Sequence, residues 1–165
     1  MYYTKKVASI KFGEIEFFVD YHNKNIVDKH IWNISYIVNK HSKFQKPYIC
    51  TSIQGKTIYL HRILMGCPKY KTVDHINGNT LDNREENLRI CTHQENHFNR
   101  AANSNGSSKY KGVCWNKASR KWQAQIKKDK VNHTIGQYAK EEDAAKAYNE
   151  KARAFFGKYA YLNEL

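Results

Sequence analysis

The chain has 165 residues, room for one domain or two small ones, with 26% charged and 41% hydrophobic side chains and a formal net charge of +13. No run approaches the roughly 18 apolar residues that a membrane-spanning helix needs, and the opening Met-Tyr-Tyr-Thr-Lys-Lys lacks the apolar core of a secretory leader. The expectation is a soluble, non-secreted, cytoplasmic protein with no membrane partner.

The positive charge is spread along the chain. Residues 101–165 carry 13 Lys and Arg against 6 Asp and Glu, and residues 1–100 carry 15 against 9. Distributed positive charge suits a partner that runs past the whole molecule, and a nucleic-acid duplex is such a partner. The four cysteines, Cys50, Cys67, Cys91 and Cys114, form no Cys-x-x-Cys pair, so neither a structural zinc site nor a disulfide framework is expected.

Residues 1–60 read as β-rich. Ile10-Lys11-Phe12 and Ile15-Glu16-Phe17-Phe18-Val19 alternate around Gly13-Glu14 and predict a hairpin. The aromatic and β-branched run His30–Val38 predicts a strand pair or a small packing unit. A second hairpin joins Tyr48–Thr51 to Thr57–Leu60 through Gln54-Gly55-Lys56. His22, His30 and His41 have no carboxylate at a useful spacing and read as surface or core residues rather than ligands. His61-Arg62 then starts a helix-compatible apolar run that ends at Gly66-Cys67-Pro68. There His61 reads as a buried residue bonding a backbone carbonyl. Whether Arg62 meets a phosphate stays open.

Residues 73–100 hold most of the chemistry. Asp74-His75 closes an apolar approach (Thr72, Val73), an Asn- and Asp-rich loop follows, and Asn87-Leu88-Arg89-Ile90 turns apolar again. Thr92-His93-Gln94-Glu95 has the Ser/Thr-x-x-Glu form of a helix capping box. The predicted order is strand, loop, strand, helix. Asn77-Gly78 alone would be explained as a turn dipeptide, but the crowding of carboxylate, amide and imidazole groups would not. Asp74 supplies a hard anionic oxygen and Asn96 a neutral one, a donor set suited to hydrated Mg²⁺. On a strand, His75 points away from Asp74, so one can hold metal while the other, as neutral imidazole, addresses water. His93 lies three residues before Asn96, on the same helical face, and is a possible supplementary ligand; Arg100 is a candidate phosphate contact.

The spacing Asp74-His75, Asn87 twelve residues on and Asn96 nine after that resembles the HNH nucleases with their ββα-metal motif, most of all the homing endonucleases of phages and introns. Leu60-His61-Arg62-Ile63-Leu64-Met65-Gly66 fits their approach segment. The resemblance implies Asp74 and Asn96 as metal ligands, His75 as general base, and Asn87 as the residue that ties the loop together and orients the imidazole. The third family position is often His and is Asn96 here, which favours Mg²⁺, with Mn²⁺ as a substitute, over zinc.

Polar, small residues at 101–109 predict a linker. Beyond it, three strand-like runs (Tyr110–Trp115, Lys121–Lys127, Asn132–Tyr138) precede a helix from Glu141 to Phe156, with acids in its first turn and Gly157 at its stop. Alternation sends Trp122, Ala124 and Ile126 towards the helix and Gln123, Gln125 and Lys127 outward. Tyr110-Lys111-Gly112-Val113, Trp122-x-Ala124-x-Ile126, Ile135-Gly136-x-Tyr138, Ala144-Ala145-x-Ala147-Tyr148 and Leu162-Asn163 resemble an AP2-type DNA-binding domain. The resemblance places the outer sheet face in the major groove. Lys111, Gln123, Gln125, Lys127, Asn132 and Thr134 are then base-contact candidates, with Lys117, Arg120 and Lys121 on phosphates. Trp115 could stack on a sugar or pack. Cys114 and Thr134 stand where plant members tend to have Arg and Trp, so base specificity does not carry over.

These readings predict an α+β chain. A β-rich N-terminal region leads into a ββα-metal nuclease core (residues 1–100, motif 57–100), then a three-stranded antiparallel sheet backed by one helix (110–165). The expected function is a Mg²⁺-dependent, site-specific DNA endonuclease of homing type, a monomer or weak dimer on double-stranded DNA. It would nick one strand per active site, leave 5′-phosphate and 3′-hydroxyl ends, and work in the host cytoplasm if phage-encoded. The alternative is a catalytically inactive DNA-binding protein or repressor on the same scaffold. RNA binding fits less well, since no RNP-type stacking motif is present.

Overall fold

The computed structural model describes residues 7–37, 46–100, 102 and 106–165. His41, the six N-terminal residues, Val38 and part of the 101–109 segment lie outside these. The chain divides into two compact units, Met1–His93 and Gln94–Leu165. Among the described residues the strands form four small antiparallel sheets with few helices, a mixed α and β architecture. No helix among them is long and apolar enough to cross a membrane.

In the first unit, β1 (Val7–Phe12) and β2 (Ile15–Asp20) pair in the hairpin that the Gly13-Glu14 turn implies, with Phe12 opposite Ile15. A short helix α1 (Lys24–Asp28) leads to a three-stranded sheet of β3 (Asn33–Ile37), β4 (Lys46–Ile53) and β5 (Lys56–Tyr59), in the order β3-β4-β5. Gln54 and Gly55, at φ 50° and 72°, form the two-residue turn between β4 and β5. Positive φ at both central residues matches the twist of the strands they join.

Helix α2 (Leu60–Leu64) follows directly and stops at Gly66. Its Leu60 joins Phe17, Val19, Val27, Trp32 and Ile49 in one apolar core. Each such side chain, fully withdrawn from water, contributes roughly 1.5–3 kcal/mol. Arg62 does not face outward. Its guanidinium donates to the carbonyls of Lys71, Cys67 and Pro68 at 3.0, 3.3 and 2.8 Å, pinning the connection into the next strand. That strand, β6 (Thr72–His75), pairs with β7 (Leu88–Cys91), and α3 (His93–Phe98) begins one residue after Thr92.

In the second unit, β8 (Val113–Asn116), β9 (Lys121–Lys128) and β10 (Val131–Tyr138) make an antiparallel sheet in the order β10-β9-β8, followed by α4 (Glu141–Phe156). Asp129 and Lys130, both at positive φ, turn β9 into β10. Ala124, Ala144, Ala145 and Ala152 are fully buried. Their small side chains bring helix and sheet close, and Tyr110, Val113, Ile126, Tyr148 and Phe156 fill the space around them. Phe98 stacks on Phe156, and its carbonyl accepts from Lys111 Nζ and Tyr161 N. These contacts bind the end of α3 to this unit.

Candidate active site

Asp74 and His75 end β6 and are both buried, at 7% and 5% exposure. The strand register puts Asp74 opposite Arg89 and His75 opposite Leu88. Arg89 Nε and Nη2 both donate to Asp74 Oδ2, at 2.9 and 2.5 Å. His75 has different company. Its Nε2 lies 3.4 Å from Asn83 Oδ1, its ring meets His61 edge-on at 5.1 Å, and Tyr48 edges against both imidazoles. Tyr59 stacks on His61 with the planes 11° apart.

Burial lowers the His75 pKa below its ordinary 6.5; Asn83, Asp74 and Asp82 act against that shift, and Lys46 adds to it. The imidazole is therefore neutral at neutral pH, the form that can accept a proton. Burial also lowers His61, to about 3, helped by His75 and Arg62. Tyr48 moves the other way, raised first by burial and then by Tyr59 and Asp74.

The loop between β6 and β7 is held from inside and outside. Asn87 Oδ1 accepts from Asn77 N at 2.9 Å, and its Nδ2 donates to the Asp82 carbonyl at 2.8 Å. Asp82 takes Arg84 on both oxygens and Asn77 Nδ2 at 3.0 Å, which holds its carboxyl below the usual range, with Arg84 the main cause. Asn87 thus ties the loop, while the amide facing the imidazole is that of Asn83.

Residues of β2 and β4 brace the same loop. Phe18 exchanges backbone hydrogen bonds with Leu81 O and Asn83 N, at 2.9 and 2.8 Å. Asp20 Oδ2 accepts from Glu85 N, Thr80 Oγ1 donates to the Pro47 carbonyl, and Lys46 Nζ donates to that of Gly78. His22 meets a carboxylate after all, Glu85 at 2.8 Å, a partner 63 positions away that local spacing does not reveal. His30 packs edge-on against Trp32. His61 packs among the rings of Tyr48, Tyr59 and His75.

Asn96 lies on α3, in the part of that helix belonging to the second unit, and His93 is the last residue of the first unit. Among the described residues no group of three or more His, Cys, Asp or Glu is arranged to hold a metal. An ion on Asp74 would meet a hard, anionic carboxylate oxygen. That donor chemistry fits Mg²⁺ or Mn²⁺.

In the second unit, the register sorts the sheet into two faces. Cys114 lies opposite Gln123, Thr134 opposite Gln125, and Asn132 opposite Lys127, on the side away from Ala124 and Ile126. Asn116 and Gln137, which the strand patterns did not single out, share this face. Asn116 Nδ2 donates to Gln123 Oε1 at 2.9 Å, and Gln125 Nε2 approaches Cys114 Sγ at 3.7 Å. Lys117, Arg120 and Lys121 are exposed around the β8–β9 turn. Trp115 is on the other face, 40% exposed, edge-on to Trp122 at 5.1 Å.

Lys111 needs correcting as a base contact. Its Nζ donates to the Phe98 carbonyl at 2.7 Å and sits 5.4 Å over the Tyr161 ring. Burial, with Arg100 adding to it, lowers its pKa to about 8. Lys111 is an internal strut.

Comparison with known proteins gives this geometry a family context. Residues 59–98 match the family model of the HNH endonuclease. The uncharacterized HNH endonuclease L560 of Acanthamoeba polyphaga mimivirus is 38% identical over 93 residues, 56% of this chain and 47% of the viral protein. Protein 3.8 of Escherichia phage T7 is 31% identical over 68 residues, 41% of this chain and 56% of the phage protein. The chain thus spans about half the length of these curated relatives. No solved structure matches it. The matched segment, residues 59–98, holds Asp74, His75, Asn87 and Asn96 and is similar to HNH endonucleases.

Proposed function

We propose that the protein is a divalent-metal-dependent, site-specific DNA endonuclease of homing type that nicks one strand per active site. The observation that carries this reading is the buried Asp74-His75 pair in the HNH segment, with its imidazole held neutral. His75 acts as the general base that takes a proton from the attacking water. Asp74 and, by the resemblance, Asn96 are the ligands of Mg²⁺, with His93 a supplementary donor. The ion's contribution is to stabilise negative charge on the phosphate and the leaving oxygen. Asn87 keeps the loop closed beneath the imidazole, and Asn83 orients it. Products carry 5′-phosphate and 3′-hydroxyl ends.

The second unit, read as an AP2-type module, supplies the address. Gln123, Gln125, Lys127, Asn132 and Thr134 present amide, hydroxyl and ammonium groups from one sheet face, the groups that read base edges in a major groove. Lys117, Arg120 and Lys121, together with Arg100, hold phosphates and fix orientation. The chain works as a monomer or weak dimer on double-stranded DNA.

The test is nicking of a supercoiled plasmid bearing DNA from around the protein's own gene, in Mg²⁺ against EDTA, by wild type, His75→Ala and Asp74→Asn. Metal-dependent nicking lost in both variants is the expected result. DNA binding in a gel shift with no cut in Mg²⁺ or Mn²⁺ would replace the enzyme by a DNA-binding protein on the same scaffold.

A further inference from the structure

Asp74 already has a cation. Arg89 stands directly opposite it in the β6–β7 pair, and two of its N–H groups converge on one carboxylate oxygen, Oδ2. The side chains are 12% and 8% exposed, so the pair is shielded from water and salt. A guanidinium withdrawn from solvent onto a carboxylate is strongly held, because parting the two leaves a buried, uncompensated charge. The two N–H donors also use both lone pairs of Oδ2.

We infer that Arg89 is a built-in counter-cation that competes with a divalent metal ion for Asp74 Oδ2, and that metal binding there turns the guanidinium off that oxygen. The inference rests on Asp74 being a metal ligand. An oxygen that already accepts two N–H groups is a poor ligand for a second cation, and a divalent ion on this carboxylate would repel the guanidinium at short range. Arg89 therefore weakens metal binding to the DNA-free protein and keeps the Asp74 side chain packed in place until the ion arrives. Once turned off Oδ2, the guanidinium stands beside the reaction site with its fork of donors available to a phosphate oxygen.

Binding of Mn²⁺ to the full chain without DNA, followed by electron paramagnetic resonance, tests this with wild type, Arg89→Gln and Asp74→Asn. Arg89→Gln should bind Mn²⁺ about tenfold more tightly, the scale of a typical coupling between two sites, and Asp74→Asn should lose most binding. Binding in folded Arg89→Gln no tighter than wild type, with binding still lost in Asp74→Asn, overturns the inference and leaves Asp74 as ligand. Unchanged binding in Asp74→Asn overturns the ligand reading and the inference with it. A measurement on wild type does not depend on any variant folding: the Arg89 Nε–H resonance should move as Mg²⁺ is titrated. Saturation with Mg²⁺ that leaves that resonance unmoved also overturns the proposal.

Discussion

The rings of His61 and His75 meet edge to face, with centroids 5.1 Å apart and planes at 76°. Tyr59 covers His61 at 5.6 Å, and Tyr48 touches both imidazoles. His75, the proposed base, is thus set in a wall of rings from α2 and the β4–β5 hairpin. Ring packing of this kind adds to the Asn83 contact in fixing the orientation of His75, since edge-to-face contact favours one angle over others.

The same burial makes His61 a determinant of acid stability. Its folded pKa, about 3, is below the ordinary 6.5, so the unfolded chain binds the proton more readily. Stability from the neutral ring is fully present above about pH 6.5 and falls as pH drops towards 3. At pH 4.5 the loss should be about 2–3 kcal/mol. Urea unfolding at pH 7 and pH 4.5 measures it, and His61→Phe, which keeps a ring but cannot charge, should flatten the slope. An unchanged slope in that variant would show that the acid sensitivity lies elsewhere.

Asn87 should matter to folding as much as to chemistry. It is 5% exposed, and its amide satisfies Asn77 N and the Asp82 carbonyl together. Asn87→Ala leaves both groups without that partner, at a cost of about 2–4 kcal/mol. Asn87→Asp keeps the acceptor, loses the donor and should fall between. Chemical denaturation of the three proteins at neutral pH decides it, and a loss under about 0.5 kcal/mol for the alanine variant would mean that Phe18, Asp20 and Thr80 hold the loop unaided.

What the sequence makes legible is local. The Gly13-Glu14 and Gln54-Gly55 turns, the end of α2 at Gly66 and the acidic start of α4 are each written in a few neighbouring residues. The face sorting of β9 follows from alternation alone. The bracing of the β6–β7 loop by Phe18, Asp20 and Pro47 is not legible, because these contacts join residues more than 30 positions apart and follow no period. Choosing between Asn83 and Asn87 as the partner of His75 needs the loop's path, which an Asn-rich sequence leaves undecided. The Asp74–Arg89 pair did leave a signal: opposite charges on two short apolar runs, which meet once the register is known. Lys111 misleads because surface lysines are the rule, and nothing nearby announces the Phe98 carbonyl that turns it inward.

Gly112 is required by two constraints at once. Its φ is 75°, and a Cβ there would sit 2.1 Å from the Tyr148 ring and 2.6 Å from the Gln125 carbonyl oxygen. Gly112→Ala combines left-handed backbone strain with overpacking and should cost about 3 kcal/mol or more. Adding Tyr148→Leu should recover only the ring part, since the Gln125 carbonyl and the backbone strain remain. Thermal melts of the single and double variants check this, and a melting temperature in Gly112→Ala within about 1 °C of wild type would contradict it.

Asn163 closes the second unit by acting as a stretch of backbone. Its side chain accepts from Lys111 N at 2.7 Å and donates to Lys111 O at 3.1 Å. Its own backbone N–H and carbonyl pair with Asn149 Oδ1 and Nδ2 on α4, at 2.7 and 2.9 Å. Four hydrogen bonds thus join the chain's last residues, the helix and the entry to β8 through two buried amides. If that network acts as one clamp, either Asn149→Ala or Asn163→Ala releases it, at about 2–4 kcal/mol each. The double variant should then cost little more than the worse single one, a coupling above about 1 kcal/mol. A double-mutant cycle in urea reads this directly. Losses that add to within about 0.5 kcal/mol would show that the two amides hold separate contacts, with the 162–163 segment staying in place when either is removed.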